Sequence, residues 1–378
     1  RGLPAGVAVP WEALLQEHEA ARPGFAALSS QQEDRAILAM AQSLYRFALS
    51  LPEPWRWLRR RMADFPGEEE LAEHPWTRQL LRGVRLQLDG CLKAAREMRS
   101  CLGDPRRDAS YGEMLAEDIR QVERLVKAAG EGLQALKAAG DVLDFPRFRP
   151  MRSQGPETKA WGRELKARRD RLRKDVFKAL SDTPENLPQA ARDIAHTKPA
   201  LRGLAGLVRR GHKRYDALKR EKNVYDFHDL EHKTLRALRD PAVRAAVQGQ
   251  FDAVCIDEYQ DISGIQEAIL QAVHGEGSLF LVGDVKQSIY RFRLADPTLF
   301  LKKAKKASLD PAAAFRRIPL QKNFRSAPSV LAAVNLVFES AMQEEVAEIA
   351  YDEEAALFPG REGEVGAPVE LHVLRPPE

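Results

Sequence analysis

The chain has 378 residues, a length that allows two or three domains, and 44% of them are hydrophobic, enough to build sizeable cores. Lysine and arginine number 59 against 55 for aspartate and glutamate. The resulting net charge of +4 does not by itself indicate nucleic-acid binding, which needs locally clustered positive charge.

The cysteine content and the apolar runs exclude several classes of protein. The three cysteines form no CxxC pair, which argues against a zinc site or a disulfide framework and favours a reducing cytosol. No run of 18 apolar residues occurs, so we expect no transmembrane helix. The first residues, RGLP, lack the pattern of a secretion signal and an initiator methionine, and we interpret them as the start of a trimmed segment.

The part before about residue 222 has a helical pattern. Residues 32–49 are typical of an amphipathic helix, and residues 112–139 carry a heptad seam. The seam consists of Leu115, Ile119, Val122, Val126, Ala129, Leu133 and Leu136. We favour a helix packed in an antiparallel hairpin over an intermolecular coiled coil. A turn over residues 141–155 would lead to a partner helix at about 157–180.

Two clusters of basic residues lie in this helical part. The first consists of Arg163, Lys166, Arg168, Arg169, Arg171, Arg173, Lys174 and Lys178. The second consists of Arg209, Arg210, Lys213, Arg214, Lys219 and Arg220. Such runs are usually solvated helix faces, and the alternative is a face that tracks a phosphate backbone. We expect charge reversal at Arg168, Arg169 and Arg173 to distinguish the two.

The part after residue 222 has the alternating pattern of an α/β structure. Residues 224–230 (VYDFHDL) lead into a helix that ends near 239. Buried strands are predicted at 251–256 and 279–282, with a helix at about 262–274 between them, which together form a parallel βαβ unit. A further strand at about 317–320 and a helix from about 327 begin another domain.

The first motif, residues 256–261, reads IDEYQD and ends the first of these strands. One of its adjacent acids, Asp257 and Glu258, can hold Mg²⁺ through water while the other orients an attacking water, as nucleotide hydrolysis requires. Acidic pairs also occur at ordinary junctions between a strand and a turn, so the acids alone are a weak signal. The six residues together are far more specific.

The second motif, residues 281–293, reads LVGDVKQSIYRFR and follows the second strand. Gly283 allows a tight exit from the strand. Gln287 can both donate and accept a hydrogen bond, and so could sense a γ-phosphate or its water. An extended segment would present Tyr290 and Phe292 together, and with Arg291 and Arg293 they would form a platform for single-stranded bases. The alternative is that the two aromatic residues belong to the core.

The third motif, residues 320–326, reads LQKNFRS and joins a strand to a helix that Ser326 would cap. Arg325 could reach a γ-phosphate from a neighbouring domain, and Phe324 could stack on a base. An arginine at a helix start is more often part of a surface ion pair, and the motif is ambiguous by itself.

The order and spacing of the three motifs resemble the UvrD/Rep family of superfamily 1A helicases. DEYQD resembles the Walker B motif of that family, GDVKQSIYRFR its third motif and NFRS its fourth. The form VGDVKQSIYRFRLADP is similar to the AddA branch, since other members usually have an acid at the Lys286 position and glycine at the Leu294 position. Residues 44–47 and 52–58 also look like the helical insert of AddA, and residues 225–230 resemble a segment of the family that precedes the second half of the motor domain. The resemblance is strong over about 222–340 and weak before it.

The resemblance implies roles at an ATP and Mg²⁺ site. Asp257 would coordinate Mg²⁺ and Glu258 would be the catalytic base. Gln287 would couple the γ-phosphate to DNA, and we also place Gln260 and Asp284 among the residues that contact the nucleotide.

Further roles concern the single strand and the second motor domain. Tyr290, Arg291, Phe292 and Arg293 would bind single-stranded DNA. Phe324 would stack on adenine and Arg325 would contact the γ-phosphate. Members of the family translocate from 3′ to 5′. AddA proteins pair with an AddB partner, act on double-stranded DNA ends in break repair and recombination, and carry a nuclease domain.

The implied fold is α/β with a large all-α insertion, a partial RecA-like P-loop NTPase motor with a parallel sheet. Residues 1–221 would be the helical insertion, 222–312 the end of the first RecA-like domain and 313–378 the start of the second. A bacterial, cytoplasmic, nucleoid-associated protein without membrane contact is expected.

The sequence departs from the family in one essential feature. No GxxxxGK[ST] phosphate-binding loop occurs in the 378 residues, and that loop normally supplies most of the phosphate contacts. We therefore expect the chain alone to have negligible ATPase activity, although its parent would be an ATP-dependent helicase. The alternatives are a non-enzymatic DNA-binding module on a helicase scaffold, a fragment of a UvrD- or RecB-type helicase, and a helical adaptor.

Overall fold

A computed structural model describes residues 9, 11–16, 34–151, 155–275, 278–342, 344, 349–361, 366–372 and 374. The chain divides into two compact units, Arg1–Pro297 and Thr298–Glu378. The described residues are mostly helical, with two small parallel sheets. The predicted division into 1–221, 222–312 and 313–378 stays a prediction. None of the helices in the described ranges is long and apolar enough to cross a membrane.

The first unit begins with helices. In the described residues before 222 they are α1 (Trp11–Gln16), α2 (Asp34–Leu49), α3 (Pro54–Ala63), α4 (Glu68–Leu71), α5 (Pro75–Ser100), α6 (Pro105–Glu131), α7 (Leu133–Asp141), α8 (Pro156–Ser181) and α9 (Leu187–Glu221). The amphipathic helix predicted over 32–49 is confirmed as α2, and the first two residues of that range lie outside the described residues.

The predicted heptad seam faces a core formed mainly by α5, α6 and α8. Six of its seven residues are buried or partly buried in that core, and Leu133 is buried as well. The single helix predicted over 112–139 is wrong, because Gly132 has a φ of 132° and separates α6 from α7. The predicted hairpin also needs correction. The most extensive partner of α6 is α5, which precedes it, rather than the helix that follows.

The basic helix predicted at 157–180 is confirmed as α8, but one of its arginines is not a surface residue. The Arg169 side chain is 1% exposed, and its Nε and Nη2 donate to the two carboxylate oxygens of Asp118 at 2.6 and 2.9 Å. Nη2 also donates to the Pro146 carbonyl. The expectation that Arg169 could contact DNA is therefore wrong, because its guanidinium is buried in the helical core and paired with Asp118.

The second basic cluster contains a similar exception at the end of α9. Lys219 is buried, and its Nζ lies 3.0 Å from the Asp226 carboxylate and 2.6 Å from that of Asp229. Each aspartate also accepts a hydrogen bond from the other's backbone N–H, which caps the next helix. These ion pairs therefore hold the end of α9 against the start of that next helix. The Lys219 ammonium is not available to a phosphate.

The remainder of the first unit has the predicted α/β order. It contains α10 (Phe227–Ala237), α11 (Pro241–Gln248), β1 (Ala253–Ile256), α12 (Gly264–Val273) and β2 (Ser278–Leu281). The strands pair in parallel from Ala253–Ser278 to Ile256–Leu281, so the predicted βαβ unit is confirmed. The predicted burial of the strands is wrong. Cys255 is exposed and Phe280 is 56% exposed, because this sheet has only two strands in the described residues.

The second unit contains α13 (Thr298–Lys306), β3 (Lys322–Asn323), α14 (Pro328–Ala341) and β4 (Phe358–Pro359), and β3 pairs with β4 in parallel. The strand predicted at 317–320 is wrong, since β3 begins two residues later. The helix predicted from about 327 is confirmed, but Ala327 rather than Ser326 is its N-cap. Pro328 restricts the residue before it to extended backbone, so the helix cannot begin earlier.

Candidate functional site

The first predicted motif turns sharply where β1 ends. Asp257 and Glu258 are exposed, whereas Tyr259 and Gln260 are 0% and 1% exposed. The reversal occurs at Glu258, whose φ of 50° and ψ of 41° place it in the left-handed region. For a residue with a side chain this conformation costs about 1–3 kcal/mol and persists only where the surroundings enforce it. The two acids are thereby held at the surface beside a buried turn.

Tyr259 anchors this turn in the protein. Its backbone N–H donates to the Val282 carbonyl at 2.9 Å, and its hydroxyl donates to the Glu267 carboxylate on α12. Burial, and then the bond to Glu267, raise the pKa of Tyr259, so the phenol stays protonated. Sequence reasoning missed this contact. The only signal in the sequence was that Glu267, on the predicted helix, follows Tyr259 by eight residues.

The second predicted motif begins at the adjacent strand end. Val282 donates its N–H to the Ile256 carbonyl at 2.8 Å, which keeps the two strand ends side by side. A Cβ on Gly283 would lie 2.6 Å from Gln260 Oε1 and 3.2 Å from the Gln260 backbone nitrogen. A side chain at position 283 would therefore displace the Gln260 amide, which is a packing reason for glycine here, whereas we expected a conformational one.

Gln260 connects the two motifs. Its Nε2 donates to Glu258 Oε2 at 2.6 Å and lies 3.4 Å from Asp261 Oδ2, and its Oε1 accepts from the Asp284 backbone N–H at 3.0 Å. We predicted a contact between Gln260 and the nucleotide, and that contact stays a prediction. In the structure both ends of the amide bind protein groups.

Asp284 organises the turn that carries Gln287. Its carboxylate accepts from the Lys286 backbone N–H at 3.1 Å and from Gln287 Nε2 at 3.0 Å, and pairs with Lys286 Nζ at 2.9 Å. Gln287 is exposed at the end of this short 3-10 turn, Val285–Gln287. The predicted coupling residue is thus at the surface, with a side chain oriented by Asp284.

The predicted aromatic platform forms a surface cluster. The Tyr290 and Phe292 ring centroids are 5.8 Å apart, and the Arg293 guanidinium lies 4.9 and 5.5 Å from them. Phe292 is 74% exposed, so it is not a core residue. The segment is a 3-10 turn, Arg291–Arg293, rather than the extended chain that we expected. The turn ends at Leu294 with a φ of 71°, which explains why glycine suits this position.

The acids of the first motif could serve a divalent cation. Within the described ranges, no group of three or more His, Cys, Asp or Glu side chains is placed to hold a metal. Mg²⁺ needs only one or two carboxylates when phosphates and waters complete its shell. Asp257 is exposed at the strand end, and fits that requirement. Burial, and then the charge of Glu258, raise the pKa of Asp261, whose Oδ1 is buried without a protein partner.

The third predicted motif lies in the second unit. Asn323 Oδ1 accepts from the backbone N–H groups of Arg325 and Ser326, each at 2.9 Å, and this turn leaves Arg325 exposed. Phe324 is 67% exposed, and a Cβ on Gly360 would lie 2.6 Å from its ring. The ring therefore lies against Gly360, which follows β4, and most of it is accessible.

Comparison with known proteins identifies the family to which the chain belongs. The UvrD/REP helicase N-terminal domain matches residues 93–308, and the chain belongs to this family. It is 36% identical over 359 residues to an ATP-dependent helicase/nuclease subunit of Syntrophomonas wolfei, covering 92% of the chain and 28% of the relative.

Two further relatives are also ATP-dependent helicase/nuclease subunits. The chain is 37% identical over 370 residues to the protein of Geobacillus kaustophilus, covering 92% of the chain and 30% of the relative. It is 34% identical over 341 residues to that of Alkaliphilus oremlandii, covering 89% and 28%. The chain thus spans less than a third of the length of these curated relatives.

Proposed function

We propose that this chain is part of the motor of an ATP-dependent 3′–5′ DNA helicase in a helicase–nuclease complex that processes double-strand breaks. The observation that carries the proposal is the junction at the two strand ends. There, Gln260 joins the exposed acids to the turn that leads to the Tyr290–Phe292–Arg293 cluster. A translocase needs such a junction because ATP hydrolysis must be linked to contact with the strand.

The residues at this junction have distinct roles in the proposal. Asp257 would hold Mg²⁺, which neutralises phosphate charge when it is bound. Glu258 accepts a proton from the attacking water, and its exposed carboxylate is already oriented by Gln260. Gln287 contacts the γ-phosphate from the neighbouring turn, and Asp284 sets its orientation.

The DNA contacts follow from the exposed rings and cations. Tyr290 and Phe292 offer π faces to successive bases, while Arg291 and Arg293 meet the phosphates. In the second unit Phe324 would stack on adenine and Arg325 would contact the γ-phosphate. A partial RecA-like fold with a helical insertion, and a partner protein of the AddB type, complete the proposal.

The test compares two lengths of protein. The full-length protein with its partner should hydrolyse ATP in a DNA-stimulated reaction and unwind duplexes with a 3′ overhang. The 378-residue chain should bind single strands without hydrolysis, since it has no phosphate-binding loop. DNA binding without hydrolysis by the full-length protein would favour the non-enzymatic DNA-binding module instead.

A separate prediction concerns the exposed part of the first basic cluster. Arg168, Arg171 and Lys178 line a groove between α5 and α8. If single-stranded DNA lies there, replacing Arg168 and Arg171 by glutamate should weaken its binding to the 378-residue chain. The slope of log affinity against log salt should fall by about 1.4, near 0.7 for each lost phosphate contact.

Fluorescence anisotropy at several salt concentrations measures this slope. Arg192→Glu changes an exposed arginine on α9 outside the groove, and should leave the slope unchanged. An unchanged slope in the double variant would identify the face as ordinary solvated surface.

A further inference from the structure

We propose that Gln260 is a positioning residue that orients Glu258 and links it to the Gly283–Asp284 turn, without touching the nucleotide. The inference rests on the proposed function, and deepens it by assigning a coupling contact between the hydrolytic acid and the segment that leads to the DNA-binding cluster.

The first step in the argument is that each end of one amide serves a different motif. The donor end, Nε2, binds the Glu258 carboxylate at 2.6 Å, and the acceptor end, Oε1, binds the Asp284 N–H at 3.0 Å. Gln260 is 1% exposed, so this side chain is enclosed by protein. A movement of either motif must therefore stretch or break a bond to the other.

The second step is that the surroundings enforce this arrangement. The left-handed backbone of Glu258 brings its side chain back over the turn, and the missing side chain at Gly283 leaves room for the Gln260 amide. Any larger residue at 283 would meet Oε1 at 2.6 Å. The backbone conformation of Glu258 and the absence of a side chain at Gly283 therefore both favour this one position of the Gln260 amide.

The third step is that only glutamine satisfies both partners. Glutamate would still accept from the Asp284 N–H but would place a second negative charge against Glu258. Leucine has a similar volume and binds neither partner. Asparagine is one methylene shorter. The amide is therefore needed both to donate and to accept.

Kinetics of the full-length protein with its partner test the proposal. Gln260→Glu should lower kcat by about 10²-fold, as a misplaced catalytic group does, while KM for ATP changes little. Gln250→Glu, at an exposed glutamine before β1, should leave both unchanged.

A second measurement does not depend on activity. In Gln260→Leu of the 378-residue chain, the Asp284 amide should exchange its hydrogen faster than in the unsubstituted chain, while amides in α6 keep their protection. Gly283→Ala keeps glutamine at position 260 but displaces its side chain, and it should have the same effect. Unchanged exchange at Asp284 would overturn the proposed link.

The kinetic outcomes are equally decisive. A raised KM for ATP with unchanged kcat would make Gln260 a nucleotide contact and overturn the proposal. Unchanged kcat together with unchanged KM in Gln260→Glu would also overturn it. If the unsubstituted full-length protein shows no DNA-stimulated hydrolysis, the proposed function fails, and the exchange measurement still tests the link.

Discussion

Replacing Glu258 with glutamine is expected to lower the DNA-stimulated ATP turnover of the full-length protein by about 10²- to 10⁴-fold, the contribution usual for a general base. The substitution removes the carboxylate that accepts the proton but keeps the size of the side chain. Glu258 is exposed, and its orientation comes from its own left-handed backbone and from Gln260. The loss should therefore reflect chemistry rather than unfolding.

Steady-state kinetics and equilibrium ATP binding distinguish a loss of catalysis from a loss of folding or of ATP affinity. KM and ATP affinity should change little in Glu258→Gln, and the thermal midpoint should stay close to that of the unsubstituted protein. Glu221→Gln, which changes an exposed acid at the end of α9, is the matched control. Turnover near that of the unsubstituted protein would place the base at another residue.

Replacing Arg169 with methionine is expected to destabilise the helical core by about 3–5 kcal/mol, because it leaves the Asp118 charge buried and unpaired. Asp118 is 0% exposed, and its two carboxylate oxygens accept from Arg169. The Pro146 carbonyl loses a donor as well. Urea unfolding of the 378-residue chain, followed by circular dichroism, measures the loss.

The neighbouring arginine provides the control. Arg168 is exposed on the same helix, and Arg168→Met should change the free energy of unfolding by no more than about 0.5 kcal/mol. The double variant Arg169→Met with Asp118→Leu should recover most of the loss, since both buried charges are removed. Equal effects of the two single arginine substitutions would show that the buried pair contributes nothing.

The order of the elements could be predicted from the sequence because it depends on local patterns. Short apolar runs separated by a helical stretch identified β1, α12 and β2, and the parallel pairing follows from a connection of that length. The heptad seam identified the buried face of α6. The break at Gly132 was missed, since a glycine inside a helical pattern is usually tolerated at a small cost.

The basic clusters contain residues whose burial could not be predicted from the sequence. A run of arginines and lysines predicts a charged helix, but it does not tell which members point inward. Arg169 and Lys219 are buried because acids elsewhere in the chain neutralise them. For Arg169, that acid lies 51 residues earlier in the sequence, on another helix. Only the packing of helices brings such partners together.

The positions of Asp257, Glu258 and Gln287 after the two strands could be predicted without a structure, since the apolar runs before them are local patterns. The way in which they are held depends on the three-dimensional fold. The left-handed backbone at Glu258 depends on the buried turn behind it, and Gln260 reaches Asp284 across 24 residues of chain because the strands are parallel neighbours. Proximity of this kind arises from strand pairing, and no local pattern encodes it.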